Sequence, residues 1–402
     1  MTRRDASGTQ QRGDVPAMSG ASSSLGLWRA LFPLLMLCCT LPAAALADET
    51  HNDGGSLLLP PAPETTTDSL PQDSLEALEQ RILGKGCEPK LLGDSRRRFA
   101  EAQLLCDAHL SFILVQATLD RHPAPDSQRR LKALLADALS RARSPFNSTG
   151  GKPVAGQPLP NSILYRGYVL LMLAGMERAG LADAESTALF DALAAQLVEA
   201  LSQQLLLPSF GRSIWPCDSA PAAAGLLLHG RLRDNVESRA SGERLVARLV
   251  ELASLPTGFP TRVDAKGRPI ESTQRATTLA WTGAFLAMAS HPEARRFTAT
   301  LVDGYCDHPA GSALPLAACR EWPRGVKGRE DAASGPLVFG GYSVGASALA
   351  IAATRLSSEH RQWHTHLLNA AREMGIRTTL ERPRKQPLEA ALYWWGTTVR
   401  PW

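Results

Sequence analysis

Aromatic residues are scarce in this chain, 6% of 402 positions, although 44% of the positions are hydrophobic. A core supplied by Leu and Ala favours helix over strand. Charge of one sign is also missing. A net charge of +4 is too small to argue for nucleic acid or a strongly anionic membrane as partner. No basic stripe interleaves with aromatics, as a nucleic-acid groove requires. There is no H-E-x-x-H motif. His360, His364 and His366 have a suggestive spacing but read as a solvated helix face. No metal or organic cofactor is expected. Gly340, Gly341 and Gly345 lack the spacing and the Lys of a phosphate-binding loop. The one G-x-S-x-G match, Gly341 to Gly345, lacks the alternating strands that an α/β-hydrolase needs. No repeat of fixed period supports a solenoid. After the leader described next, no segment reads as long and apolar enough to cross a bilayer.

The amino terminus reads as an export signal. A polar stretch carrying Arg3, Arg4, Arg12 and Arg29 precedes the apolar run Leu31 to Leu46, and Ala45-Leu46-Ala47 has the small-x-small pattern of a signal-peptidase site. Residues 1–47 are therefore expected to be a signal peptide, with Met18 an alternative start. The product would be periplasmic or secreted. The alternative is an uncleaved anchor that leaves the chain membrane-bound and facing the periplasm. Residues 48–72, rich in Pro, Thr and acids, are expected to be a flexible tether. Export also sets the reading of cysteine. Cys38 and Cys39 leave with the leader. Cys87 with Cys106, and Cys306 with Cys319, lie close in sequence, and their pairing leaves Cys217 as the free thiol.

Residues 73–402 read as one helical domain. Helical spacing runs over Leu92–Arg121, with Phe99, Leu104, Ala108, Phe112, Val115 and Leu119 apolar. A short helix at Leu75–Leu83 comes before it. Asp126 is the expected cap of a helix ending at Arg143. Further helices are expected over Ser162–Gly180, Asp183–Leu206, Pro221–Arg233, Gly242–Leu255, Thr273–Ser290, Pro292–Gly304, Ser343–Leu356, Ser358–Gly375 and Leu388–Val399. One β-hairpin is expected within Phe259–Ile270, turning at Ala265-Lys266-Gly267. So many paired helices without a repeat indicate an all-α fold, an α/α toroid of alternating inner and outer helices whose rim loops surround a cavity.

The loops carry the chemistry. The densest is Arg320 to Gly345, where Glu321 and Asp331 are two carboxylates flanked by Arg320 and Arg324, with Trp322, Phe339 and Tyr342 close by. Paired carboxylates are the minimum set for glycoside hydrolysis. Arg324 would bind a substrate carboxylate or neutralise Glu321. A second cluster, Trp215-Pro216-Cys217-Asp218, precedes an apolar helix ending near His229. Asp218 or Ser219 could cap that helix; alternatively Asp218 is an acid–base carboxylate beside an apolar Trp wall. Tyr165, Arg166 and Tyr168 open another helix, and Arg275 and Trp281 share one more.

Tyr165-Arg166-Gly167, Trp215-Pro216-Cys217-Asp218 and Arg320-Glu321-Trp322-Pro323-Arg324-Gly325 resemble exported bacterial α/α-barrel proteins. Over about residues 160–350 the order of loops is similar to the linalool dehydratase/isomerase family. That resemblance implies an α/α barrel working without metal or organic cofactor, with Cys217 and Asp218 standing where the family has Cys followed by Glu. No second Cys follows shortly after Cys217, as it does in that family. The reading is an exported metal-free acid–base enzyme, a lyase/isomerase or a glycan hydrolase. Asp218, Glu321, Cys217 and Tyr165 would be catalytic, and Arg166, Trp215, Arg275, Trp281, Arg324, Asp331 and Tyr342 would hold substrate. The expected partner is a small-molecule, glycan or lipid-like ligand. The alternative is a non-catalytic envelope protein holding a glycan or lipid in the same cavity.

Overall fold

The computed structural model describes Cys87 and residues 101–121, 125–142, 162–209, 211–307, 316–331, 333–373 and 387–402. All of these lie in one compact unit, Ala62–Trp402. The expected leader, the tether and the helix at 75–83 fall outside the described residues.

The helices are α1 (Ala102–Arg121), α2 (Pro125–Ala142), α3 (Ile163–Arg178), α4 (Ala184–Gln203), α5 (Ala220–Leu232), α6 (Val236–Ala253), α7 (Ala276–Met288), α8 (Ala294–Tyr305), α9 (Val344–Arg355), α10 (Arg361–Glu373) and α11 (Pro387–Thr398). Their packing closes a ring. Helix α1 packs on α3, α3 on α5, α5 on α7, α7 on α9, α9 on α11, and α11 back on α1. Each even-numbered helix packs on the outside of the odd-numbered helix before it. This is the α/α toroid expected from the sequence.

Composition explains which helices are inside. In α5, APAAAGLLLHGRL, every residue from Ala220 to Gly230 is buried, and small side chains let its neighbours approach closely. At Gly167 of α3, an added Cβ would lie 2.7 Å from the backbone nitrogen of Ala222 in α5. The outer helices are amphipathic, and α4 buries only one face, from Ser186 to Leu201. The ring axis is filled by rings from four inner helices. Phe112 and His109 of α1, Tyr168 of α3, Trp281 and Phe285 of α7 and Trp395 of α11 meet edge-on, tilted or stacked, with centroids 4.7–6.5 Å apart.

Several expectations need correction. Helix α1 is long and apolar enough over Ala102–Asp120 to span a bilayer, but 89% of that window is buried in the ring. Asp126 lies within the first turn of α2, paired with Arg129, rather than ahead of it. Helix α6 starts at Val236, capped by the Asn235 side chain, which accepts from Ser238 N at 2.8 Å. Gly242, read from sequence as its start, is interior, where a Cβ would meet Leu227 at 2.9 Å. His364 is buried and bonds Ile351 O at 2.9 Å, so that helix face is not wholly solvated.

Strands are short. β1 (Arg262–Val263) pairs with β2 (Pro269–Glu271) in the expected hairpin. β3 (Cys306–Asp307) pairs with β4 (Ala318–Cys319), and β5 (Leu337–Val338) with β6 (Tyr342–Ser343). Disulfides join Cys87 to Cys106 and Cys306 to Cys319, and Cys217 is a buried free thiol.

Candidate active site at the amino-terminal ends of the inner helices

The chemistry-bearing residues gather where inner helices begin. Glu101 directly precedes α1, Tyr165 lies in the first turn of α3, Asp218 sits in the turn leading to α5, and Arg275 is the N-cap position of α7. The loop before α5 is tied to α3. The Ser162 hydroxyl caps α3, accepting from Tyr165 N at 3.2 Å, and donates to Ser209 O at 2.7 Å. Ser209 Oγ in turn accepts from Trp215 N at 3.1 Å. Pro216 then opens a short 3₁₀ turn, Pro216–Ser219, all of it buried.

Asp218 does not cap α5. The capping position falls to Ser219, whose side chain makes no capping bond. The Cys217 thiol donates to Oδ1 of Asp218 at 3.8 Å, the Ser209 hydroxyl lies within reach of the same carboxyl, and Oδ2 has no hydrogen-bond partner among the described residues. Burial pushes this carboxyl up to about 7; nearby Ser209 pulls it down, the charge of Glu101 pushes it further up, and the thiol opposes that. Burial likewise raises Glu101 to about 7. It also lifts the Cys217 thiol well above its usual range, so Cys217 is a neutral donor and not a thiolate. Tyr165 is raised by burial and by the charge of Asp107.

The other predicted carboxylates are engaged. Glu321 is fully buried, and its Oε1 accepts from Arg275 Nε and from the Thr277 hydroxyl, both at 2.6 Å. Its backbone oxygen accepts from Ala276 N at 3.0 Å, fastening this loop to the start of α7. Burial raises the Glu321 carboxyl, against the pull of Arg275 and Thr277. Asp331 binds the same guanidinium through Nη1 and turns its other oxygen to Ala333 N and Ser334 N. Burial lowers Arg275, but the Asp331 hydrogen bond and the charges of Glu321 and Asp331 outweigh it and hold the guanidinium charged. Arg324 does not neutralise Glu321. It pairs with Asp307, because β3 places that carboxylate beside it, and Arg320 and the Tyr342 hydroxyl bind the same group. Tyr342 is thus spent in a buried knot around Asp307 and stacks under Arg320 at 4.3 Å. Ser343 of the G-x-S-x-G match caps α9 and donates to Ser334 O at 2.7 Å, a structural role.

A cleft of about 390 Å³ opens beside this cluster, lined by Trp215, Arg275, Trp322, Asp331 and neighbours, but not by Asp218. Trp322 lies under the Arg275 guanidinium at 5.0 Å. Arg166 is half-buried, and its Nε has no partner among the described residues. Trp281 is half-buried in α7. Among the described residues no three His, Cys, Asp or Glu side chains are grouped to hold a metal ion. Sequence reading missed Glu101, Asp107 and His109. The available signal was polar residues inside an apolar helical stretch, which must be bonded or functional once buried.

No protein-family model matches the chain, and no curated protein matches it. Among solved structures it is similar to a D-mannose isomerase (TM-score 0.47, 12% identity, 67% of this chain and 74% of that one). It is also similar to the GH76 α-mannanase of Bacteroides thetaiotaomicron (TM-score 0.47, 10% identity, 73% of this chain and 85% of that one). At that level the likenesses say nothing about substrate, and the toroid stands on the helix packing of this chain itself.

Proposed function

We propose that the chain is an exported acid–base enzyme, of lyase/isomerase or glycoside-hydrolase type, in which Asp218 moves the proton. The observation that carries this is a buried carboxyl that caps no helix and has no ionic partner, at the inner rim of a toroid. With a pKa of about 7, the group is half protonated near neutrality and can both give and take a proton. Glu101, raised to the same range by its own burial, is the second carboxyl, and its charge helps to raise Asp218. Cys217 and Tyr165 act as neutral hydrogen-bond donors. Arg275, fixed by Glu321 and Asp331, forms the wall of the site. That assignment moves Glu321 from proton transfer to support of Arg275.

Cys217-Asp218 keeps the likeness to the linalool dehydratase/isomerase family as one form of this chemistry, with an alcohol protonated and lost. Two disulfides support an oxidising compartment, in keeping with cleavage after Ala47. The test uses the secreted protein and its Asp218→Asn variant on aldoses, oligosaccharides and allylic alcohols, with products followed by NMR. Turnover lost at least a hundredfold with ligand binding intact supports the enzyme. Equal turnover by both proteins removes Asp218 from the mechanism. The rival reading, a binding protein, is favoured by the locked state of Glu321 and Asp331, and ligand binding without turnover of any class would establish it.

A further inference from the structure

The cleft beside the candidate site is lined by charge as well as by indole rings. Arg275 pairs with Asp331, and Glu271 pairs with Arg262 at 3.2 Å, so those charges are matched. Glu321, the other carboxyl on Arg275, is fully buried and does not line the cleft. Glu330 lines it, accepts from Leu337 N at 3.4 Å, and has no ionic partner among the described residues. Lys327 and Arg329 also line it. Both are exposed, and neither has an ionic or hydrogen-bond partner among the described residues. Of the charges that line the cleft, one positive charge is left in excess.

Packing holds the two cations in place. Gly328 stands between them, and a Cβ there would overlap the Trp322 ring, so only glycine lets this loop lie on the indole. Trp322 is itself fixed by the Arg275 guanidinium, 5.0 Å from its ring. Lys327 and Arg329 are carried to the cleft with Gly328. A merely solvated run of charge would need no such seat. Trp215, half-buried, supplies a second indole. Asp218 N donates to Trp215 O at 3.0 Å, so this wall of the cleft and the acid of the candidate site belong to one turn.

We infer that this cleft binds a sugar bearing a carboxylate, a uronate residue of a glycan. Lys327 and Arg329 take the carboxylate, and Trp215 lies against the C–H face of the pyranose. The volume, about 390 Å³, is that of a small-ligand site. Charge selects the class. A neutral sugar would leave both cations unused, whereas a carboxylate accepts charge-assisted hydrogen bonds from them. A phosphate monoester would bring about two negative charges to a single positive excess. The inference deepens the proposed function by naming the ligand class and two specificity residues; that the bound sugar is a substrate rests on that reading.

The test is calorimetric titration of the full chain carrying Asp218→Asn with trimers of galacturonate, glucuronate and mannuronate. Each is compared with its methyl ester, which keeps the sugar and removes the charge. Saturable binding of at least one acid is expected, with its ester about tenfold weaker and with the difference shrinking as salt is added. Lys327→Gln with Arg329→Gln should weaken the acid about tenfold and leave the ester and the Tm unchanged, since neither side chain has a partner to lose. Binding of none of the acids overturns the inference, as does an ester that binds as well as its acid. An acid whose affinity ignores the double variant, or tighter binding of glucose 6-phosphate than of every acid, overturns it too. Failure here with Asp218-dependent turnover of a neutral substrate leaves the proposed function standing. Specific uronate binding by a protein whose turnover ignores Asp218 does the reverse.

Discussion

At the scale of the residue, Asp218 and Arg275 are opposite solutions to one problem, a charge inside the ring. Asp218 avoids it by holding its proton. Its carboxyl stays protonated from its ordinary value near 4 up to about 7, while the unfolded chain loses that proton. Stability therefore falls as pH rises through this window, by up to about 4 kcal/mol for a shift of this size. Asp218→Asn should leave Tm unchanged at pH 4 and raise it at pH 8. Thermal melts across pH would check this, and a variant that loses stability at pH 8 would refute it. Arg275 instead keeps its charge between Glu321 and Asp331. Arg275→Met should cost about 3–5 kcal/mol, and the double variant with Glu321→Gln should regain most of it, because the penalty lies in the orphaned charge. Denaturant titration of the four proteins of that cycle measures the coupling. Asp218 and Cys217 were legible in sequence because an acid and a thiol beside Trp and Pro stand out in a loop. The role of Glu321 was not, since nothing local to it shows that Arg275, 46 positions away, would reach it before Arg324.

At the scale of the element, helix identity was readable and helix boundaries less so. Polar caps such as Ser162, Asp183 and Ser343 mark true starts. Gly242 misled because glycine serves close packing as well as chain ends, and only the partner helix distinguishes the two. The same logic gives a prediction at Gly167. Propensity alone would reward Gly167→Ala by about 1 kcal/mol. Here the new Cβ meets the backbone of Ala222 at 2.7 Å, where neither helix can yield by a side-chain rotation. A net destabilisation of about 1–3 kcal/mol is expected, read as a lower midpoint in urea. A rise in that midpoint would mean that α3 and α5 are not in such close contact.

At the scale of the whole molecule, the ring brings together residues that the chain keeps apart. Glu101, Tyr165, Asp218 and Arg275 stand at the starts of four inner helices, α1, α3, α5 and α7, which pack in turn around the ring. The all-α toroid could be anticipated from Leu and Ala content and paired helical stretches. Which loops share a cavity could not, because that depends on every inner helix starting at the same rim. The disulfide Cys306–Cys319 spans a separation of 13 residues next to the Asp307 knot. Replacing both cysteines with Ser should cost about 3 kcal/mol by loop entropy, measured by thermal melting, and an unchanged Tm would deny it that role. The measurement that tests the central claim most directly needs no substrate. It is the pH titration of the Asp218 carboxyl carbon, assigned by its absence in Asp218→Asn, in ¹³C-Asp-labelled protein. A midpoint near pH 7 is the result predicted for a buried carboxyl without an ionic partner, able to trade protons at neutrality. A midpoint near pH 4 would show an ordinary, solvated carboxylate and would contradict the acid–base role.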